Sequence, residues 1–354
     1  MRPTVPRYPL APGYDISRVL KGGWQLAGGH GRIDREAALG DMLAYVEAGI
    51  TTFDCADIYT GVEELIGEFL RRNRDALRHG ALAPVQVHTK CVPDRAALAT
   101  LRKEDIKRLI ERSLRRLGVE RLDLVQFHWW DYEVPGYVEA ALHLQALQAE
   151  GKIRHIGVTN FDVLHLREIL DAGVPVISNQ VQYSALDRRP ERGMVALCPQ
   201  QGMSLLCYGT IAGGFLSDRY LGVAEPVPPL ENRSLTKYKL IIDDFGGWDL
   251  FQALLATMRG IADKHSVSIA AVATRYVLQK PCVGGAIIGV RHMGHLPDTL
   301  RLWTFELTGE DLATITRITE EASGPEGDIY GVERVKSGKH AVIMHYNLNT
   351  QAKG

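Results

Sequence analysis

One pattern constrains this chain more than any other. Between residues 19 and 321, short β-prone runs alternate about eight times with amphipathic runs of helical period. The β-prone runs are 19–26, 50–55, 85–91, 122–129, 153–159, 176–183, 204–208 and 283–290. The helical runs are 35–48, 63–78, 103–117, 137–150, 163–172, 191–201, 250–265 and 269–279, with a further one at 309–321. In the first of these, Ala38, Met42, Tyr45 and Val46 share a face. Gly49, Gly118 and Gly151 follow three of them as C-terminal stops. Each connection is long enough for a right-handed crossover, so parallel strands are expected. An open doubly wound sheet would ordinarily place GxGxxG after its first strand. Here Gly22-Gly23-Trp24-Gln25-Leu26-Ala27-Gly28-Gly29 stands instead. The expectation is an α/β fold, a closed (β/α)₈ TIM barrel over residues 16–322. Residues 1–15 form an N-terminal segment, and 323–354 a C-terminal extension. Within that extension, the β-prone runs 329–335 and 341–348 flank Ser337-Gly338 and predict a β-hairpin. Residues 209–249, broken by Pro226, Pro228 and Pro229, read as a long connection.

Composition narrows the partners. Lys+Arg 41 against Asp+Glu 42 leaves a net charge of -1, without the basic excess of a nucleic-acid binder. A hydrophobic content of 45% supports a sizeable core. The five cysteines, Cys55, Cys91, Cys198, Cys207 and Cys282, are dispersed and form no CxxC, which suits a reducing compartment. The first residues hold prolines and no apolar stretch, so no signal peptide is read, and no run of about 18 apolar residues occurs. A cytoplasmic protein acting on small molecules is expected, with no nucleic-acid or membrane partner. The sequon Asn232-Arg233-Ser234 is read as chance, and His292 and His295 as surface histidines rather than metal ligands.

In such barrels the site lies where strands end. Strand two leads into Asp54 and Tyr59, strand three ends in His88-Thr89-Lys90, and strand four in Gln126-Phe127-His128-Trp129. Asp54, Tyr59, Lys90 and His128 are therefore expected at one mouth. A free phenol has a pKa of about 10, too high for efficient acid work near neutrality. A neighbouring ammonium lowers it, and a carboxylate keeps that ammonium charged. An imidazole on the next strand orients a carbonyl oxygen. The set suits proton donation to a developing alkoxide. Hydride transfer is beyond protein side chains, so a nicotinamide cofactor is implied. Trp24, Trp129 and Trp130, with Tyr59 and His128, are the expected substrate pocket. The Gly209–Gly214 run fits GxxxxG but continues Phe215-Leu216, which excludes a triphosphate P-loop.

Over about residues 17–318 the sequence resembles the aldo-keto reductase superfamily. The matching pieces are Gly22-Gly23-Trp24-Gln25-Leu26, FDCADIYTGVEELIGEFL, His88-Thr89-Lys90, DLVQFHWW, IRHIGVTNF, SNQVQYS, CYGTIAGGFLS and Ile288-Gly289-Val290-Arg291. The resemblance implies a carbonyl reductase using NADP(H), or NAD(H). It puts Asp54, Tyr59, Lys90 and His128 on the family's catalytic tetrad, with Tyr59 as general acid. It sets Gly22, Gly23, Trp24 and Asp54 beside the cofactor. Thr159, Asn160 and Gln180 fall where the nicotinamide carboxamide is held, and Tyr208 where a ring stacks on nicotinamide. Gly209, Thr210, Ile211, Ala212, Gly213, Gly214 and Leu216 fall along the pyrophosphate loop. Gly289, Arg291 and His295 fall around the adenosine end, with Arg291 at the 2′-phosphate. Departures are Gly23 for a more frequent Thr, Thr159 for Ser, and His295 and Thr299 where relatives tend to hold Gln and Asn. A sugar or alcohol dehydrogenase working in the oxidative direction, and a cofactor-sensing binding subunit, are the other readings.

Overall fold

The computed structural model describes residues 4–27, 33–289 and 293–351. A hairpin, β1 (Arg7–Ala11) and β2 (Tyr14–Ser17), opens the chain. The barrel strands are β3 (Val19–Gly22), β4 (Thr52–Asp54), β5 (Gln86–Cys91), β6 (Leu122–Phe127), β7 (Ile153–Thr159), β8 (Val176–Gln182), β9 (Ser204–Tyr208) and β10 (Val283–Gly289). All pair in parallel, and β10 closes the ring by bonding both β9 and β3. The helices are α1 (Arg35–Glu47), α2 (Val62–Arg72), α3 (Arg74–Arg78), α4 (Lys103–Leu117), α5 (Tyr137–Ala149), α6 (Val163–Asp171) and α7 (Met194–Gln200). They continue as α8 (Arg233–Phe245), α9 (Gly247–His265), α10 (Ile269–Leu278), α11 (Leu296–Arg301), α12 (Gly309–Thr319), α13 (Gly331–Arg334) and α14 (Leu348–Gln351).

Local chemistry sets many of these boundaries. The Asp34 side chain accepts the Ala37 amide at 3.1 Å and starts α1. Gly118, at φ 68, ends α4 in a left-handed conformation that favours glycine. Helix α4 buries Ile106, Ile110, Ser113 and Leu117 at helical spacing. The main core lies between strands and helices and includes Phe53, Phe69 and Val46. A second, smaller cluster fills the barrel interior, where Leu10, Tyr14 and Ile16 of the hairpin meet Leu20, Leu124 and Leu206 of three strands. The segment read as lying outside the barrel thus helps to plug its N-terminal end. Fully burying one such aliphatic side chain contributes about 1.5–3 kcal/mol.

Several expectations need correction. The first strand stops at Gly22 rather than reaching residue 26. Gly23 donates its amide to the Asp54 carbonyl at 2.8 Å, and the chain turns into a short 3₁₀ segment, Trp24–Leu26. The long connection after β9 holds a full helix, α8, whose N-cap Asn232 accepts the Leu235 amide at 3.0 Å. The C-terminal extension folds back on the barrel, and its described residues form no hairpin, only the short helices α13 and α14 joined by turns. Its apolar residues do not alternate between faces. Ile329, Tyr330 and Ala341 are buried, while Val335 and Val342 are 54% and 73% exposed. Side-chain anchoring to the barrel, described below, takes the place of cross-strand pairing.

Candidate active site

Parallel strands deliver their C-terminal ends to one mouth, so residues far apart in sequence meet there. Asp54 ends β4, Lys90 lies near the end of β5, His128 follows β6, and Tyr59 sits in the loop before α2. Lys90 Nζ donates to Asp54 Oδ2 at 2.8 Å and to the Cys55 carbonyl at 2.8 Å. The other carboxylate oxygen, Asp54 Oδ1, accepts from Gln126 Nε2 at 3.1 Å and Gln180 Nε2 at 2.6 Å. Burial opposes the Lys90 ammonium, but Asp54 and Tyr59 outweigh it and raise the lysine above its ordinary pKa. The pairing therefore favours the charged form of Lys90. Lys90 Nζ lies 5.1 Å from the centre of the Tyr59 ring. Burial pushes the Tyr59 phenol above 10.0, and Lys90 pulls it back without cancelling that effect. The ammonium thus limits the rise rather than producing a net fall, which corrects the expectation of an acidified phenol.

His128 is buried, and its Nδ1 lies 3.0 Å from the Thr159 carbonyl oxygen. A carbonyl only accepts, so Nδ1 carries the proton and Nε2 is a bare acceptor. Burial, then the Arg334 charge, depress this imidazole to about 3. Nε2 has no partner among the described residues. Trp130 and Tyr330 meet the His128 ring edge-on, with centroids 4.4 and 5.7 Å away.

These groups open into one cleft of about 420 Å³. Of the residues expected there, Gly22, Trp24, Asp54, Tyr59, Lys90, His128, Trp130, Thr159, Asn160, Gln180, Tyr208, Gly209, Thr210, Ile211, Gly213, Gly289 and His295 line it. Others do not. Trp129 is fully buried against Phe127 and Tyr137, its indole donating to the Asp131 and Val134 carbonyls, so it is core and not pocket. Gly23 is walled in: a Cβ there would lie 2.8 Å from Val62 Cγ1 and 2.9 Å from the Asp54 carbonyl. Ala212 and Leu216 are fully buried behind the loop, and Gly214 is likewise absent from the lining. Arg291 and His292 lie outside the described residues.

Residues from two late segments also line the cleft. Arg233, Lys237 and Tyr238 come from α8, and Tyr330, Met344 and Leu348 from the extension. The extension is anchored by charge. Buried Arg189 holds Asp187 through Nε at 2.9 Å and Nη2 at 2.6 Å, and Glu333 through Nη1 at 2.7 Å and Nη2 at 3.1 Å. Arg334 Nη2 donates to the Trp129 and Asn160 carbonyls, both at 3.0 Å. Tyr330 takes a left-handed backbone, φ 58, which turns its ring toward His128. Helix α8 was hidden by the proline-broken stretch before it. Its readable signals were Asn232, a good N-cap, and the helical spacing of Leu235, Tyr238, Ile241, Ile242 and Phe245.

The lining fits a nicotinamide dinucleotide. Amide and hydroxyl side chains, Thr159, Asn160 and Gln180, cluster beside the tetrad. The Tyr208 hydroxyl donates to Asn160 Oδ1 at 2.8 Å and fixes an aromatic shelf next to them. Farther along, Gly209 and Gly213, at φ 72 and 65, line the cleft beneath Tyr238, whose ring leaves no room for a Cβ at either position.

Comparison with known proteins agrees with this architecture. The profile of the Aldo/keto reductase family matches residues 18–320. Flagellar radial spoke protein 5 of Chlamydomonas reinhardtii is 30% identical over 268 residues, covering 64% of this chain and 49% of that protein. NADH-specific methylglyoxal reductase of Escherichia coli is 32% identical over 224 residues, covering 57% of this chain and 66% of the enzyme. The chain therefore spans about half the length of the first relative and 66% of the second. The solved glycerol dehydrogenase of Gluconobacter oxydans superposes with a TM-score of 0.75 at 24% identity, over 92% of this chain and 98% of that one. An aldo-keto reductase of Klebsiella pneumoniae in complex with NADPH gives 0.66 at 22% identity, over 92% and 98%.

Proposed function

The chain belongs to the aldo/keto reductase family, and from that premise we propose that it interconverts carbonyl compounds and alcohols with NADP(H). One observation carries the reading: Tyr59 and the unpartnered Nε2 of His128 face one cleft beside a buried, carboxylate-held ammonium. Thr159, Asn160, Gln180 and Tyr208 would hold the nicotinamide, and Gly209, Gly213 and His295 the remainder of the dinucleotide. The bound coenzyme supplies or removes a hydride. In reduction, Tyr59 gives its proton to the carbonyl oxygen. The phenolate left behind is stabilised by Lys90, whose charge Asp54 secures. In oxidation Tyr59 takes the proton back, because one transition state serves both directions. With its proton on Nδ1, His128 has no hydrogen on Nε2 to offer a carbonyl oxygen, so the expected orienting bond is not available and the buried ring instead walls the cleft beside Tyr59.

NADP(H) is the preferred coenzyme in this reading because Arg291 is the residue expected to grip the 2′-phosphate with two parallel hydrogen bonds. The Klebsiella structure contains NADPH, whereas the Escherichia coli relative is described as NADH-specific. Both coenzymes therefore belong in the test. Purified protein is given aldehydes, ketones and alcohols with each coenzyme while nicotinamide absorbance is followed. Turnover of at least one carbonyl–alcohol pair is expected. Coenzyme binding with no turnover across the panel would overturn the enzymatic reading in favour of a cofactor-sensing binding role.

A further inference from the structure

Helix α8, packed beside Tyr208 and the 209–213 turn, brings into the cleft charge that the proposed reaction does not use. Arg233 and Lys237, one turn apart on α8, both line it. Among the described lining residues Asp54 is the only acid, and it is committed to Lys90. Arg233 donates to the Ile343 carbonyl at 2.8 Å. Lys237 is partly buried among three rings. Its Nζ lies 5.0 Å from the centre of Tyr208, and 5.7 Å from the centres of Tyr238 and Tyr330. Among the described residues no carboxylate comes within 4.0 Å of it. Glu333, the acid whose field it feels most, is already gripped by both Nη atoms of Arg189.

Burial lowers the Lys237 pKa from its ordinary value, and Glu333 only partly compensates. An ammonium so placed is stabilised by an anion brought to it. Tyr330 links this cation to the reacting end, since the same ring stands edge-on to His128 at 5.7 Å. The same cleft is lined by the apolar or aromatic Trp24, Trp130, Met344 and Leu348, with the polar Asn232, Ser234 and His345 also on it. Trp24 meets Tyr59 edge-on at 5.1 Å. The aromatic part of such a lining receives a flat apolar ring.

We propose that Lys237, assisted by Arg233, selects carbonyl substrates that carry a carboxylate on an aromatic body. This rests on the carbonyl–alcohol reading above. The carbonyl faces Tyr59, the ring lies between Trp24, Trp130 and Tyr330, and the carboxylate meets α8.

The test compares para-carboxybenzaldehyde with benzaldehyde. Wild-type kcat/KM is expected to favour the carboxylate. A charge-assisted contact of ordinary strength makes that preference about 10-fold or more. Lys237→Met should remove most of the preference through KM, and Lys237→Arg should retain it. Direct titration of the coenzyme-loaded protein with para-(hydroxymethyl)benzoate and with benzyl alcohol gives the same ratio without turnover. A wild-type ratio near one overturns the proposal, as does a ratio that Lys237→Met leaves in place. A loss of NADPH affinity in Lys237→Met as large as the loss of preference also overturns it, by assigning the cation to a coenzyme phosphate. Failure of the carbonyl–alcohol reading looks different: neither aldehyde reacts, yet the two alcohols still reveal by titration whether the anion site exists.

Discussion

Single atoms decide what the mouth of the barrel does. Tyr59 faces the cleft with an exchangeable proton, and its neighbours Lys90 and Asp54 are too tightly paired to supply one. Tyr59→Phe is therefore expected to lower turnover by about 10²–10⁴-fold. Coenzyme affinity should hardly move, because the amide cluster and glycine turn remain. Steady-state rates and coenzyme fluorescence titration check this, and near wild-type turnover would exclude Tyr59 as the acid. His128 makes a second prediction. With its Nδ1 proton on the Thr159 carbonyl and a pKa near 3, it stays neutral through the working range. Nitrogen-15 NMR of the ring should report the Nδ1–H tautomer with no titration around 6.5. A midpoint there would contradict the assignment. Arg291 makes a third. Arg291→Ala should weaken NADPH about 10-fold or more and leave NADH almost unchanged. The NADPH loss should shrink as salt rises. Equal effects on the two coenzymes would show that Arg291 does not read the 2′-phosphate.

At the scale of elements, the unexpected parts are α8 and the extension that packs over it. The extension is held to the barrel by the Asp187–Arg189–Glu333 cluster, by Arg334 on two carbonyls, and by His340 and Lys339 on Asp244. Removing one partner from a buried ion pair strands the other, at a cost of about 3–5 kcal/mol. Arg189 keeps Asp187 in Glu333→Ala, so the protein should be destabilised by less than that, by about 1–3 kcal/mol. The substitution should also speed hydrogen exchange across residues 329–346. Burial opposes the Glu333 carboxylate, but Arg189 wins and lowers its pKa from 4.5 to about 2. Because the folded value is the lower one, the stabilisation is complete above about 4.5 and is lost as pH falls toward 2. Denaturant midpoints and exchange rates measure both effects. Unchanged exchange in Glu333→Ala would show that the other anchors suffice.

For the whole molecule, the barrel interior sets the acid limit. At its N-terminal end, Tyr14 bonds His88 Nε2 at 3.1 Å and packs on His155 at 4.5 Å. Burial depresses His88 from 6.5 to about 3, with Lys90 adding to the effect, and burial together with Arg154 takes His155 to about 4. Unfolding frees both to take protons at their ordinary values. The unfolded chain thus binds more protons as pH falls below about 6.5, and stability falls with it. For His88 alone the slope approaches about 1.4 kcal/mol per pH unit until its folded value is reached. Urea denaturation between pH 4 and 7 should show this decline, and His88→Gln should lessen its slope while His155 and His128 keep the remainder. A flat wild-type profile would mean that these rings titrate normally.

The sequence by itself determined the barrel and the meeting of Asp54, Tyr59, Lys90 and His128 at one mouth. Both rest on local periodicity: a run of a given period commits to strand or helix, and eight parallel strands must deliver their C-terminal residues to one mouth. The runs 153–159 and 204–208 agree with β7 and β9 residue for residue. Asp54, Tyr59, Lys90 and His128 could be placed without knowing a single long-range contact. Only the tertiary structure decided the roof of the cleft. Lys237 stands beside Tyr330, and Arg189 beside Glu333, because of packing between segments about 90 and 140 residues apart, which no local pattern encodes. The same reason misled the reading of Trp129. Next to a site histidine it looked exposed to substrate, but the turn after β6 carries its indole into the core. The β-prone runs of the extension likewise had the composition of strands. Their conformation was set by the buried ion pair and the left-handed Tyr330 that dock them, since tertiary contacts of that strength override propensities of about 1 kcal/mol.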